Sequence, residues 1–144
     1  MADAHLIVVG VDGSDSSRKA LRWAARQAEL TAASLLVVSS WSWPVVTGYP
    51  PPPPDLDLER DAHLVLDDAV AAVLGERPSV PVEKRVVEGH PAAVLVAASA
   101  GADLLVVGSR GHGSFAGMLL GSVSNHCANH ASCPVVIVRH GPDD

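Results

Sequence analysis

The sequence predicts an α/β protein: a three-layer α/β/α sandwich around a five-stranded parallel sheet of order 3-2-1-4-5. Three observations predict it. Four short runs, Leu6–Val11, Leu35–Val38, Leu104–Val107 and Val135–Val138, are rich in Val, Ile and Leu and do not alternate with polar residues. Strands covered on both faces read this way. Helical periodicities lie between the runs, giving the strict β-α alternation of a doubly wound sheet. Finally, 144 residues with 48% hydrophobic and 18% charged side chains suit one domain, 1–144, with a packed core. Only 3% of residues are aromatic, so that core is made of Ala, Val and Leu.

The elements follow in order. Leu6–Val11 runs into Asp12-Gly13-Ser14, where Ser14 can cap a helix reaching about Thr31, with Leu21, Ala24, Ala25 and Ala28 on one face. Leu35–Val38 is the second strand. Residues 42–55 then break the pattern with Pro44 and the run Pro50–Pro54. Successive prolines form an extended polyproline II rod, which serves as a stiff spacer or as a ligand for an aromatic-lined groove. A second helix from about Leu56 to Leu74 carries the stripe Ala62, Leu66, Ala69, Val70 and Val73, and Gly75 ends it.

Val80–Glu88 is a different kind of strand. Apolar and charged residues mix through Val82, Glu83, Lys84, Arg85, Val86 and Val87, and Pro81 lacks a ladder donor, so it belongs at a sheet edge. Pro91 suits the first turn of a third helix over Ala92–Ala100. A fourth helix spans about Ser122 to Ala131, and Pro134 opens the last strand. With the third strand at one edge and the first in the centre, the economical order is 3-2-1-4-5. Val135–Val138 then forms the other edge without a protecting charge, and an apolar edge invites a second copy. A homodimer through this strand is expected.

Ten Lys and Arg against sixteen Asp and Glu give a net charge of −6. This excludes a uniformly basic nucleic-acid binder and requires a local positive site for any anionic ligand. No run approaches the ~20 apolar residues of a membrane helix, and Met1–His5 lacks the basic start of a signal peptide. Cys127 and Cys133 make no disulfide framework. A soluble, cytoplasmic protein is expected.

In an open parallel sheet the ligand crevice lies beyond the carboxyl ends of the strands where the order reverses, here between the first and fourth. The loops at that point are Asp12-Gly13-Ser14 and the stretch Gly108, Ser109, Arg110, Gly111, His112, Gly113 and Ser114. Glycines let backbone amides approach an anion, and a following helix start adds positive potential. Arg110 and His112 add donors. Asp12 can accept from a base or ribose, or hold Mg²⁺ through water; equally, Asp-Gly-Ser before a helix is ordinary turn chemistry. Named phosphate motifs fail. Gly108 and Gly113 have the P-loop gap, but Ser114 stands where Lys is required. Gly111-x-Gly113-x-x-Ala116 follows the fourth strand and lacks the dinucleotide fold's later acidic residue.

The spacing present is Gly108-x2-Gly111-x9-Gly121-Ser122. The stretch from Val106 through Gly113 and on through Gly121, Ser122, Val123 and Ser124 resembles the nucleotide-binding signature of the universal stress protein family. Val8 to Ser14 resembles that family's opening strand and turn, and Cys133 to Val138 its last strand. The resemblance implies an adenine nucleotide alpha hydrolase-like fold, ATP binding with Mg²⁺, and dimerisation through the last strand. It places Gly10 and Asp12 beside the adenosine, with Val38 and Ser39 near the base. Gly108, Ser109, Arg110, Gly111, His112, Gly113 and Ser114 would wrap ribose and phosphates, and Gly121, Ser122, Val123 and Ser124 would meet phosphates at the helix start. No catalytic residue is assigned. Alternatives at the same crevice are a slow ATPase, an autophosphorylating protein using Ser114 or Ser122, a cyclic AMP binder, and a dimeric scaffold with an empty site.

His126 and His130, four apart on a helix, can face one metal, and Cys127 and Cys133 suggest zinc; but Cys127 points elsewhere on the helix and replaces the Glu of H-E-x-x-H. A catalytic serine lacks its G-x-S-x-G elbow. Trp41 and Trp43, after the second strand, either stack on a base or anchor a loop.

Overall fold

The computed structural model describes residues 5–43, 57–109 and 121–139. Among these residues strands and helices alternate throughout: β1 (Leu6–Gly10), α1 (Asp15–Thr31), β2 (Ser34–Trp41), α2 (Leu58–Leu74), β3 (Val82–Glu88), α3 (Pro91–Ala98), β4 (Leu104–Gly108), α4 (Ser122–His130) and β5 (Val135–Val138). The five strands form one sheet, all neighbours parallel, in the order β3-β2-β1-β4-β5. The expected order and layers are therefore present. The Pro50–Pro54 run, Arg110 to Ser114 and the remaining expectations between 44–56 and 110–120 lie outside the described residues.

Because side chains alternate across a strand, each central strand supplies both layers of core. Ile7, Val9, Leu35, Val37 and Val106 pack with Leu21, Ala24, Ala28, Leu66, Ala69 and Val70 of α1 and α2. Val8, Leu36, Val38, Leu105 and Val107 face Val94 and Leu95 of α3 and Cys127 of α4. The apolar stripes expected on the first two helices are those that face the sheet.

Local signals set most boundaries. Ser14 Oγ accepts from Ser17 N at 3.2 Å, Asp57 Oδ1 accepts from Arg60 N at 2.9 Å, and Pro91 occupies the first turn of α3. Gly75, with φ of 74°, ends α2. Strand β2 is longer than its apolar run. Ser39, Ser40 and Trp41 continue it by pairing with Val86, Val87 and Glu88 of β3 after β1 has ended. Hydropathy marks only the part of a strand buried on both sides, so this polar extension was not legible from it.

The two edges differ. β3 exposes Glu83, Lys84 and Arg85; Lys84 Nζ lies 2.7 Å from Asp67 of α2 and Arg85 2.8 Å from Glu83. All four residues of β5 are half-buried and none is charged. No helix among the described residues is long and apolar enough to cross a membrane.

Candidate functional site

A cavity of about 240 Å³ opens beyond the carboxyl ends of β1, β2 and β4. Gly10, Val11 and Asp12 line it from β1 and its loop, Val38 and Ser40 from β2, and Val107 and Gly108 from β4. Pro91, Val94 and Leu95 of α3 form an apolar wall; Gly121, Ser122, Val123 and Ser124 close it from the start of α4, and Ser17 from α1. β1 and β4 are hydrogen-bonded neighbours, so the cavity sits at the reversal of strand order.

Of the helices that begin at this cavity, α1 and α4 have starts that are built differently. At α1 the polar groups satisfy one another. Asp12 Oδ1 accepts from Ser14 N at 2.9 Å and from Ser14 Oγ, Ser14 Oγ accepts from Ser17 N, and Ser17 Oγ donates to Ser14 O at 2.9 Å. Asp12 N in turn donates to Ser17 Oγ at 3.2 Å. The turn role of Asp12 and its place on the cavity wall thus coexist.

At α4 no side chain among the described residues caps the helix: its N-cap is Gly121. The first amides of a helix have no intrahelical acceptor, so those of Ser122, Val123 and Ser124 are directed toward the cavity end. The backbone positions this start. Ser109 N donates to Val138 O at 2.9 Å, while Ser109 O accepts from Gly121 N at 2.6 Å and from Ser124 Oγ at 3.2 Å. Ser109 is therefore the joint between β4, β5 and α4.

Two glycines at the cavity are also required by packing. A Cβ on Gly10 would lie 2.7 Å from Leu95 Cδ1. On Gly108 it would lie 2.8 Å from the carbonyl carbon of Ser16 and collide with Ser16 Oγ, so α1 rests directly on the end of β4. Gly10 is matched by a side chain that can shift, Gly108 by backbone that cannot.

Of the expected site residues, Gly10, Asp12, Val38, Gly108, Gly121, Ser122, Val123 and Ser124 line the cavity. Ser39 does not; its hydroxyl donates to Val11 O at 2.7 Å, and Ser40, on the same face as Val38, lines the cavity. Ser109 lies behind the lining, and Arg110, Gly111, His112, Gly113 and Ser114 lie outside the described residues. Sequence reasoning missed Val11, Ser17, Ser40, Pro91, Val94, Leu95 and Val107. The period-2 alternation from Val38 to Ser40 was the one signal that pointed to any of them.

Asp12 is the one charged side chain among the described lining residues. Beneath α4, Cys127 is fully buried, and desolvation pushes its thiol up to about 11. His126 and His130 are exposed, so the four residues of the zinc reading do not converge. Trp41 and Trp43 meet edge to face at 6.1 Å, outside the cavity lining.

Fold and cavity define a doubly wound α/β protein with a ligand-sized crevice at its switch point. Residues 4–139 match the model of the universal stress protein family, and the chain belongs to that family. It is 40% identical over 136 residues to the universal stress protein Rv2005c of Mycobacterium tuberculosis, covering 92% of this chain and 45% of the relative. The chain thus spans about half the length of that curated relative. Among solved structures, a universal stress protein described as a complex with cAMP is 30% identical, with a TM-score of 0.71 over 95% of this chain and 98% of the other. An Arabidopsis thaliana family member described with AMP bound shares the fold at a TM-score of 0.65 and 23% identity, over 97% of this chain and 94% of the other.

Proposed function

We propose that this chain is an ATP-binding universal stress protein, a regulator whose nucleotide occupancy tunes its conformation or its contacts. The observation that carries the reading is the uncapped start of α4 facing the switch-point cavity. Its first amides, which have no intrahelical acceptor, and its positive dipole end suit phosphate. Val38, Val94, Leu95 and Val107 offer apolar surface to a base. The donor set thus fits an adenine nucleotide. Asp12 would hold Mg²⁺ through water, and the ion would offset phosphate charge in a protein of net charge −6. Ser109, Arg110, Gly111, His112, Gly113 and Ser114 belong to the same proposed phosphate loop. The chain acts as one domain in the cytoplasm, dimerising through the β5 edge, where the backbone groups of Val135 and Ile137 point away from β4.

The test is to purify the protein without added nucleotide, denature it and identify what is released by mass spectrometry, beside a Gly121→Val control. ATP from the native protein alone supports the proposal. An empty protein whose Tm does not move with millimolar Mg²⁺-ATP overturns it, because a ligand of the folded state must raise stability. A second reading, cAMP in the same cavity, is favoured by the 30%-identical structure described with that ligand. Its release in place of ATP decides for it. For the dimer, Ile137→Pro removes an outward N–H; sedimentation should then show a monomer where the native chain shows a dimer.

A further inference from the structure

The C-terminal half of α4 carries a feature that the nucleotide reading does not use. His126 and His130 are four residues apart, so both project from one face of the helix, and both are exposed. Their ring centroids lie 4.3 Å apart, with the planes inclined by 36°. Two imidazole nitrogens sharing a tetrahedral zinc at bond lengths of about 2.0–2.1 Å stand roughly 3.4 Å apart. Rings already this close reach that spacing by small side-chain rotations, and exposure leaves those rotations open. Imidazole is a good ligand for divalent copper, nickel and zinc.

We propose that His126 and His130 form a two-imidazole site for a divalent transition-metal cation, one that clamps the last two turns of α4. The remaining coordination positions belong to water, so the ion exchanges. Cys127 takes no part, since it is fully buried while the two histidines are exposed. The site is separate from the nucleotide cavity: His126 and His130 follow Ser122 by about 6 and 12 Å along the helix axis. It also acts on an element that needs support. α4 has nine residues, buries only Ser124 and Cys127, and lacks a side-chain cap. Short helices of this kind are marginal without outside contacts, so an i, i+4 chelate stabilises it directly.

Calorimetric titration of the tag-free protein with Zn²⁺, and separately with Cu²⁺, tests the site. One ion per chain is expected, with Cu²⁺ tighter than Zn²⁺. His126→Ala and His130→Ala should each weaken binding by about 10²-fold, because the second ligand acts at high effective concentration only when both are present. His63→Ala, at an exposed histidine on α2, should change nothing. Electron paramagnetic resonance of the native protein with one equivalent of Cu²⁺ should show two nitrogen donors, a readout independent of whether the variants fold. Equal affinity in His126→Ala, a single-nitrogen spectrum, or no binding below millimolar metal overturns the proposal.

Discussion

The starts of α1 and α4 face the same cavity, yet one is closed upon itself and the other is open. At α1, Asp12, Ser14 and Ser17 exchange five hydrogen bonds, and the helix is held by its own loop. At α4, Gly121 provides no side-chain cap, and the helix is held from behind through the carbonyl of Ser109. A capped start gains stability and gives up its donors; an uncapped start forgoes that stability and keeps its amides for a ligand. Under the proposed function, that division gives anchoring to α1 and anion recognition to α4. It also explains why cavity glycines differ in kind: Gly108 lets α1 sit on β4, whereas Gly121 leaves α4 uncapped.

The comparison is most severely tested at Gly108. Gly108→Val places side-chain atoms against the backbone of Ser16 and should cost about 3 kcal/mol by overpacking. Chemical denaturation measures this, and a loss close to zero would mean that α1 does not rest on β4 as described. Next in size is Gly121→Asp, which supplies the missing cap and a negative charge. Nucleotide affinity should fall about tenfold, or ~1.4 kcal/mol, while Tm without nucleotide holds or rises. Binding unchanged in that variant would remove α4 from the recognition of phosphate.

Ser14→Ala should do the reverse at α1. It should lose about 1 kcal/mol of stability in urea titration and leave nucleotide affinity near the native value. A large affinity loss with unchanged stability would exchange the roles of the two helix starts. The smallest effect lies at the far end of β1. Leu6 N donates to Asp103 at 2.7 Å, and this bond, with His5 adding to it, holds the carboxyl below its ordinary value of 3.8. A depressed carboxyl stabilises the fold above its unfolded value, and the contribution is lost as pH falls through the folded one. The Tm difference between native protein and Asp103→Asn should therefore shrink on acidification below about pH 4, which calorimetry at several pH values can follow.

Much of this architecture was legible because the signals are local. Non-alternating Val and Leu runs mark strands buried on both faces, and Glu83, Lys84 and Arg85 mark the edge that water can reach. Ser14, Gly75 and Pro91 announce helix ends through chemistry confined to one turn. The candidate site was legible only in part. Glycine and serine spacing located Gly108, Gly121 and Ser122, but nothing local connects Leu95 with Gly10, whose missing side chain makes room for it. The polar end of β2 was hidden for a related reason: Ser39 and Ser40 are strand residues because β3 lies beside them.

Periodicity, capping and edge charge act over a few residues, so the alternation of elements, the strand order and the point where that order reverses could be read along the chain. Which groups share the cavity was settled by packing in three dimensions. It brought α3 over β1, turned Ser40 inward and Ser39 away, and made Ser109 the joint that leaves the α4 amides exposed to a ligand. Those choices depend on contacts between residues far apart in the chain, where packing volume and backbone hydrogen bonds, rather than local propensity, fix the outcome.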